Sequence, residues 1–210
     1  MDNKQLEAYA TAEAIRFLKA REWVEPHTRH GGHVDGYWRD VSGTLTAKQA
    51  KEWLSEGDAA FRGMLWHGTP KAADVRNSGF AFTDDAVGAG GGPAIWLSDS
   101  KPHAEGYGTP VRVAAKFKKP LVVTHTAGSD WSKDFDDALK QGGVDLSKYH
   151  KLPNGAVASP AVVARTEGFD AVIRRYPDTV YGDEVPEHLR VTPGHLIVNA
   201  FDLDTLRVVR

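Results

Sequence analysis

Beyond residue 60 the apolar residues of this chain come in short runs, at 61–67, 94–98, 111–118, 121–123, 170–175, 195–201 and 205–209, broken by glycine, proline or charge. Runs of this length read as strands rather than helices. The segment 111–118 alternates with period two: Val111, Val113, Ala115 and Phe117 against Arg112, Ala114, Lys116 and Lys118. Pro120 interrupts it and Leu121-Val122-Val123 resumes it. Helical patterns at 46–56, 70–77, 100–107, 131–141 and 159–167 are short, and several strands follow one another without a helix between them. A parallel, doubly wound sheet needs a helix after each strand. The expected class is therefore α+β, with a split, largely antiparallel β-sheet.

At 210 residues the chain fits one domain with a small appendage, and an apolar content of 41% is enough for a core. Residues 3–21 read as an amphipathic helix, with Leu6, Ala10, Ala14, Phe17 and Leu18 on one face. Residues 24–44 read as a loop punctuated by Pro26, Gly31, Gly32, Gly36 and Gly43. The loop holds His27, His30 and His33, but no acidic or cysteine cluster completes a metal site, and the expectation is no metal. Thr46 is placed to cap the next helix and Gly57 to stop it. Residues 1–60 are thus expected as a helical extension or cap, and 61–210 as the functional domain.

Composition narrows the function classes. There is no cysteine, so disulfides, thiol catalysis and cysteine-ligated metals are excluded. A net charge of −2 argues against general affinity for nucleic-acid phosphates. No apolar run is long enough to span a membrane, and the amino terminus is polar. The expectation is a soluble protein with no membrane partner, cytoplasmic or delivered into a host or target cell by a signal-independent route.

Two stretches carry the chemistry. Leu65-Trp66-His67-Gly68-Thr69 ends an apolar run on a histidine, a glycine and a hydroxyl. An imidazole beside bare main chain is a binding geometry, because glycine lets a ligand approach the backbone. Ala94-Ile95-Trp96-Leu97-Ser98 is a second strand with an aromatic at its middle. Between them, Gly88-Ala89-Gly90-Gly91-Gly92 leads into Pro93 and a strand, not into a helix. It is therefore neither a phosphate loop nor a dinucleotide fingerprint, and reads as a connection.

Taken in order, Leu-Trp-His-Gly-Thr, a short helix ending Ser-Gly-Phe, the glycine-rich loop, Ala-Ile-Trp-Leu-Ser, Ala-Glu-Gly-Tyr-Gly and a strand ending Lys-Lys-Pro-Leu-Val-Val resemble the ADP-ribosyltransferase superfamily. The likeness is to its diphtheria-toxin-like and poly(ADP-ribose)-polymerase-like branch, and within it to compact transferase domains of phage and mobile-element proteins, toxins or effectors. It covers about residues 61–209 and is most specific over 64–124. Trp96 and Tyr107 stand eleven apart, the interval at which that branch places the two aromatics that enclose nicotinamide.

The resemblance implies a mono-ADP-ribosyltransferase that cleaves NAD, releases nicotinamide and needs no metal. It implies that His67 donates to the adenosine-side ribose, that Gly68 holds the carboxamide through its main chain, and that Tyr107 stacks on nicotinamide. Trp96 stands where the family has tyrosine. Thr69 and Ser98 are further NAD-side hydroxyls, Ser98 at the pocket floor. One departure matters. The family's glutamate, which binds the nicotinamide ribose and faces the developing positive charge, has no counterpart: counting back from Phe201-Asp202 gives Ile197. Asn199, two residues on, holds a hydroxyl but lacks the charge. Glu184 or Glu187, in the preceding loop, are the other candidates.

The missing glutamate favours mono-transfer over chain growth. It also keeps open a catalytically degenerate NAD-binding or interaction domain of the same fold. An RNA 2′-phosphotransferase of a related branch would want a second histidine on the strand that carries Trp96, which has none, and a plain interaction module would bind no NAD. The acceptor is expected to be macromolecular, with protein favoured over nucleic acid by charge, and to meet the loops at 125–130 and 176–194.

Overall fold

The computed structural model describes residues 21–24, 27–29, 32–34, 37–82, 87–88, 92–149, 160–178 and 193–210. The helix predicted over 3–21 lies outside the described residues up to Arg21, which starts strand β1 (Arg21–Val24). The segment read as a loop carries strands instead. β1 pairs with β4 (Tyr37–Asp40), and β2 (His27–Arg29) pairs with β3 (Gly32–Val34), all antiparallel. The strand-forming residues Trp23, Val24, Tyr37 and Trp38 prevail over the glycines between them.

A mixed α/β architecture is organised around one eight-stranded sheet. Its order is β11 (Pro120–Thr124), β12 (Ala171–Tyr176), β13 (His195–Ala200), β9 (Ile95–Ser98), β6 (Phe61–Thr69), β10 (Thr109–Phe117), β14 (Leu206–Val209) and β5 (Thr44–Leu45). Only β11–β12 and β14–β5 are parallel. The first of these needs a crossover, which α4 (Trp131–Gln141) and α5 (Pro160–Thr166) provide. The remaining helices are α1 (Ala47–Ser55), α2 (Ala72–Ser78) and α3 (Lys101–Glu105). β7 (Val87–Gly88) pairs with β8 (Gly92–Pro93) across the glycine-rich connection.

The sheet is continuous, but its midline is thin. β6 and β9 are in register at one pair, Trp66 opposite Ser98. β6 instead pairs with β10 along its whole length, from Phe61–Phe117 to Thr69–Thr109. The sheet is thus two four-stranded halves joined at a seam, and the seam ends at His67.

Cross-strand partners share a face, so register sorts the side chains. One face carries Leu65, Ile95, Leu97, Val111, Val113, Phe117, Ile173 and Val198, packed with Phe80 and α2 into the main core. Burying side chains of this size contributes roughly 1.5–3 kcal/mol each. The other face carries Leu121, Val123 and Val172, buried under α4 and α5 with Phe135 and Leu139. Trp66, Trp96, Ser98, Asn199 and Arg174 belong to this second face by register.

The helix ends are closed by residues the sequence supplies. Thr46 and Gln49 form a capping box at the start of α1. The carbonyls at its far end accept from Lys116 Nζ (Trp53 at 2.9 Å, Glu56 at 3.2 Å) and from the Arg62 guanidinium (Leu54, Ser55 and Gly57). Gly57 has φ +61° and Gly79, after α2, φ +89°, conformations that favour glycine. Ser100 caps α3 by accepting from the His103 N–H. Among the described residues no helix is long and apolar enough to cross a membrane.

Candidate functional site

His67 stands where β6 and β9 part. Its ring packs edge-on against Phe80, centroids 4.9 Å apart, and Nδ1 lies 2.8 Å from the Trp96 carbonyl oxygen. A carbonyl only accepts, so Nδ1 carries the proton. Burial lowers the ring's pKa, and the Trp96 bond opposes that only in part. The ring is therefore neutral, and Nε2 presents a lone pair. A ribose hydroxyl would donate to His67, the reverse of the direction the resemblance implies.

Gly68 is fixed by packing. A Cβ there would fall 1.8 Å from the Ala104 carbonyl oxygen and 3.0 Å from Tyr107 Cβ. The last turn of α3 thus lies directly on the β6 backbone, and carries Tyr107, 58% exposed, to the same place. His67, Gly68, Tyr107 and the Trp96 main chain are brought together at the end of the seam. The Thr69 hydroxyl accepts from the Lys71 N–H at 3.2 Å, ahead of α2.

Trp96 is 40% exposed on the second face, with the Arg174 guanidinium 5.1 Å from its ring centroid. Asn199 lies opposite it in register and is buried. Asn199 Oδ1 has no hydrogen-bond partner among the described residues. Ser98 is also buried; its hydroxyl accepts from the Ser100 N–H at 3.0 Å and so holds the turn into α3. Glu184 and Glu187 lie outside the described residues.

A cluster absent from the sequence reading adjoins these residues. His195 opens β13, with Nδ1 2.8 Å from Asp99 Oδ1 and Nε2 3.3 Å from Ser98 Oγ. Asp99 Oδ1 also accepts from the Leu196 N–H at 3.1 Å. The carboxylate accepts from Nδ1 and leaves Nε2 facing the serine hydroxyl. The His195 ring lies 4.9 Å from that of His103, which is 5.5 Å from Tyr107. Asp99 and His195 are 96 positions apart, so only the β9–β13 pairing reveals them.

A second histidine–carboxylate pair sits under α4. His125 Nδ1 is 2.8 Å from Asp134 Oδ2, which also accepts from Ser129 Oγ. His125 stacks on Trp131 at 4.8 Å. Burial holds His125 below its usual pKa, outweighing the Asp134 bond. For Asp134, burial pushes upward but the Ser129 and His125 bonds prevail, holding the carboxyl below its usual range. Among the described residues no group of three or more metal-type side chains converges.

No protein-family model matches this chain, and no curated protein matches it significantly.

Proposed function

We propose that the chain is a mono-ADP-ribosyltransferase: it cleaves the bond between nicotinamide and ribose in NAD and passes ADP-ribose to a macromolecular acceptor, protein before nucleic acid. The observation that carries this reading is the convergence at the seam. A neutral His67, tied to the Trp96 carbonyl through Nδ1, and Gly68, packed against Ala104 and Tyr107 Cβ, are neighbours at the end of β6, with the Tyr107 ring exposed beside them. An acceptor nitrogen, close backbone and an open aromatic are what a ribose hydroxyl, a carboxamide and a flat pyridinium ring require.

In this reaction the glycosidic electron pair leaves with nicotinamide, a good leaving group. The enzyme holds the ribose, excludes water and presents the acceptor. His67 orients the adenosine-side ribose, and Tyr107 and Trp96 wall the nicotinamide end. Support for the ribose nearest the departing ring falls to Asn199, Glu184 or Glu187, of which Asn199 is buried beside Trp96. That burial favours a second reading, an NAD-binding domain of the same kind without turnover. Incubation with NAD separates the two: the transferase releases nicotinamide and the degenerate domain binds NAD without release.

A further inference from the structure

A guanidinium carries five N–H donors and a permanent charge, and when it leaves water it is normally paired. Arg174 departs from this. It is half-buried on β12, and its contacts are two rings, Trp96 at 5.1 Å and the buried Phe135 at 5.4 Å. Its Nε is buried without a hydrogen-bond partner, and no carboxylate pairs with it among the described residues. The sheet explains its position: Arg174 is opposite Ile197, which is opposite Ser98, so all three are on the Trp96 face. The ring contacts orient the guanidinium without using its donors. A planar fork held this way is preorganised for a phosphate, which it meets through paired N–H···O bonds.

We propose that Arg174 is the anchor for a phosphate group bound against Trp96, and that the phosphate is the pyrophosphate of the dinucleotide. The assignment to NAD rests on the reading in the preceding section; the anion site itself rests on Arg174 alone. Trp96 supplies a face for a flat ring and Arg174 the charge for the phosphates beside it.

The test compares wild type with Arg174→Gln and Arg174→Lys, using ADP-ribose and inorganic pyrophosphate as probes in calorimetry and thermal denaturation as the check on folding. The expected result is at least tenfold weaker ADP-ribose binding by Arg174→Gln. Arg174→Lys should fall between, because it keeps the charge and loses the fork. The melting temperature of Arg174→Gln should change little, since the substitution removes two ring contacts but no hydrogen bond. Equal ADP-ribose affinity in wild type and Arg174→Gln overturns the anchor, as does failure of wild type to bind either probe. Arg174-dependent pyrophosphate binding that does not compete with NAD overturns the assignment to the dinucleotide and points to a phosphate on the acceptor. Arg174-dependent binding of both probes without nicotinamide release keeps the anchor and removes the transferase reading.

Discussion

Trp53 and Trp96 both sit beside cations, and the difference between the two sites separates support from function. Trp53 lies between Lys116, 4.3 Å from its ring, and Arg207, 5.2 Å away. Those cations are also used elsewhere. Lys116 closes the end of α1, and Arg207 donates to the carbonyls of Ser42 and Leu206 at 2.9 and 2.6 Å. Arg174 lies at a similar distance from the Trp96 ring, yet its Nε is buried without an acceptor among the described residues. A cation that holds a fold together spends its donors on the fold. One held by rings alone keeps them for something that arrives later, at a cost in stability of the kind functional sites carry.

The comparison can be broken in graded steps. The most severe is Gly68→Ala, which places a methyl against the Ala104 carbonyl. It should cost about 3 kcal/mol, because backbone on both sides must move, and calorimetric unfolding checks it. Lys116→Met comes next. It leaves the Trp53 and Glu56 carbonyls without their Lys116 donor, removes a cation from the Trp53 ring, and should cost about 1–2 kcal/mol, a fall in melting temperature of roughly 2–8 °C for a chain of this size. Arg174→Gln should stay within about 0.5 kcal/mol of wild type. Equal losses for Lys116→Met and Arg174→Gln would erase the distinction.

The smallest effect is on pH. His67 and His125 have folded-state pKa values below the ordinary 6.5. The unfolded chain therefore gains protons first as pH falls, and the stability these rings contribute is complete above 6.5 and lost between that value and their lower folded-state values. Urea titrations at stepped pH should show the contribution of these rings flat above 6.5 and declining through that range. His125→Asn, which removes the ring that titrates against Asp134, should flatten part of the decline. An unchanged slope would show that His125 does not titrate differently on folding.

Local pattern carried most of the fold. The Val111–Phe117 alternation, the Thr46 cap and the glycine stops at 57 and 79 are signals within a few residues of what they cause. The strands at 21–40 were not legible as such, because glycine density is a turn signal whichever element the neighbouring aromatics choose. At the candidate site, the sequence singles out His67, Gly68, Trp96 and Tyr107, which belong to three short motifs. It does not give the tautomer of His67, which depends on a carbonyl 29 residues away. Nor does it give Asp99 with His195, or Arg174 with Trp96, since both pairings exist only once β12, β13 and β9 are side by side. The Ser98 hydroxyl accepts from the Ser100 N–H and secures the turn before α3, a role the local spacing does not reveal.

The central claim is that the end of the β6–β9 seam binds NAD and cleaves it. The most direct measurement is free nicotinamide after incubating the full chain with NAD, beside His67→Ala and Asn199→Ala. The account predicts release by wild type and a loss of about a hundredfold in His67→Ala, the scale on which a positioned polar contact acts in a reaction of this kind. Asn199→Ala then reports whether the buried amide opposite Trp96 takes part. A wild-type chain that neither binds NAD nor releases nicotinamide contradicts the account, and leaves His67 as a histidine that holds two strands together at their point of divergence.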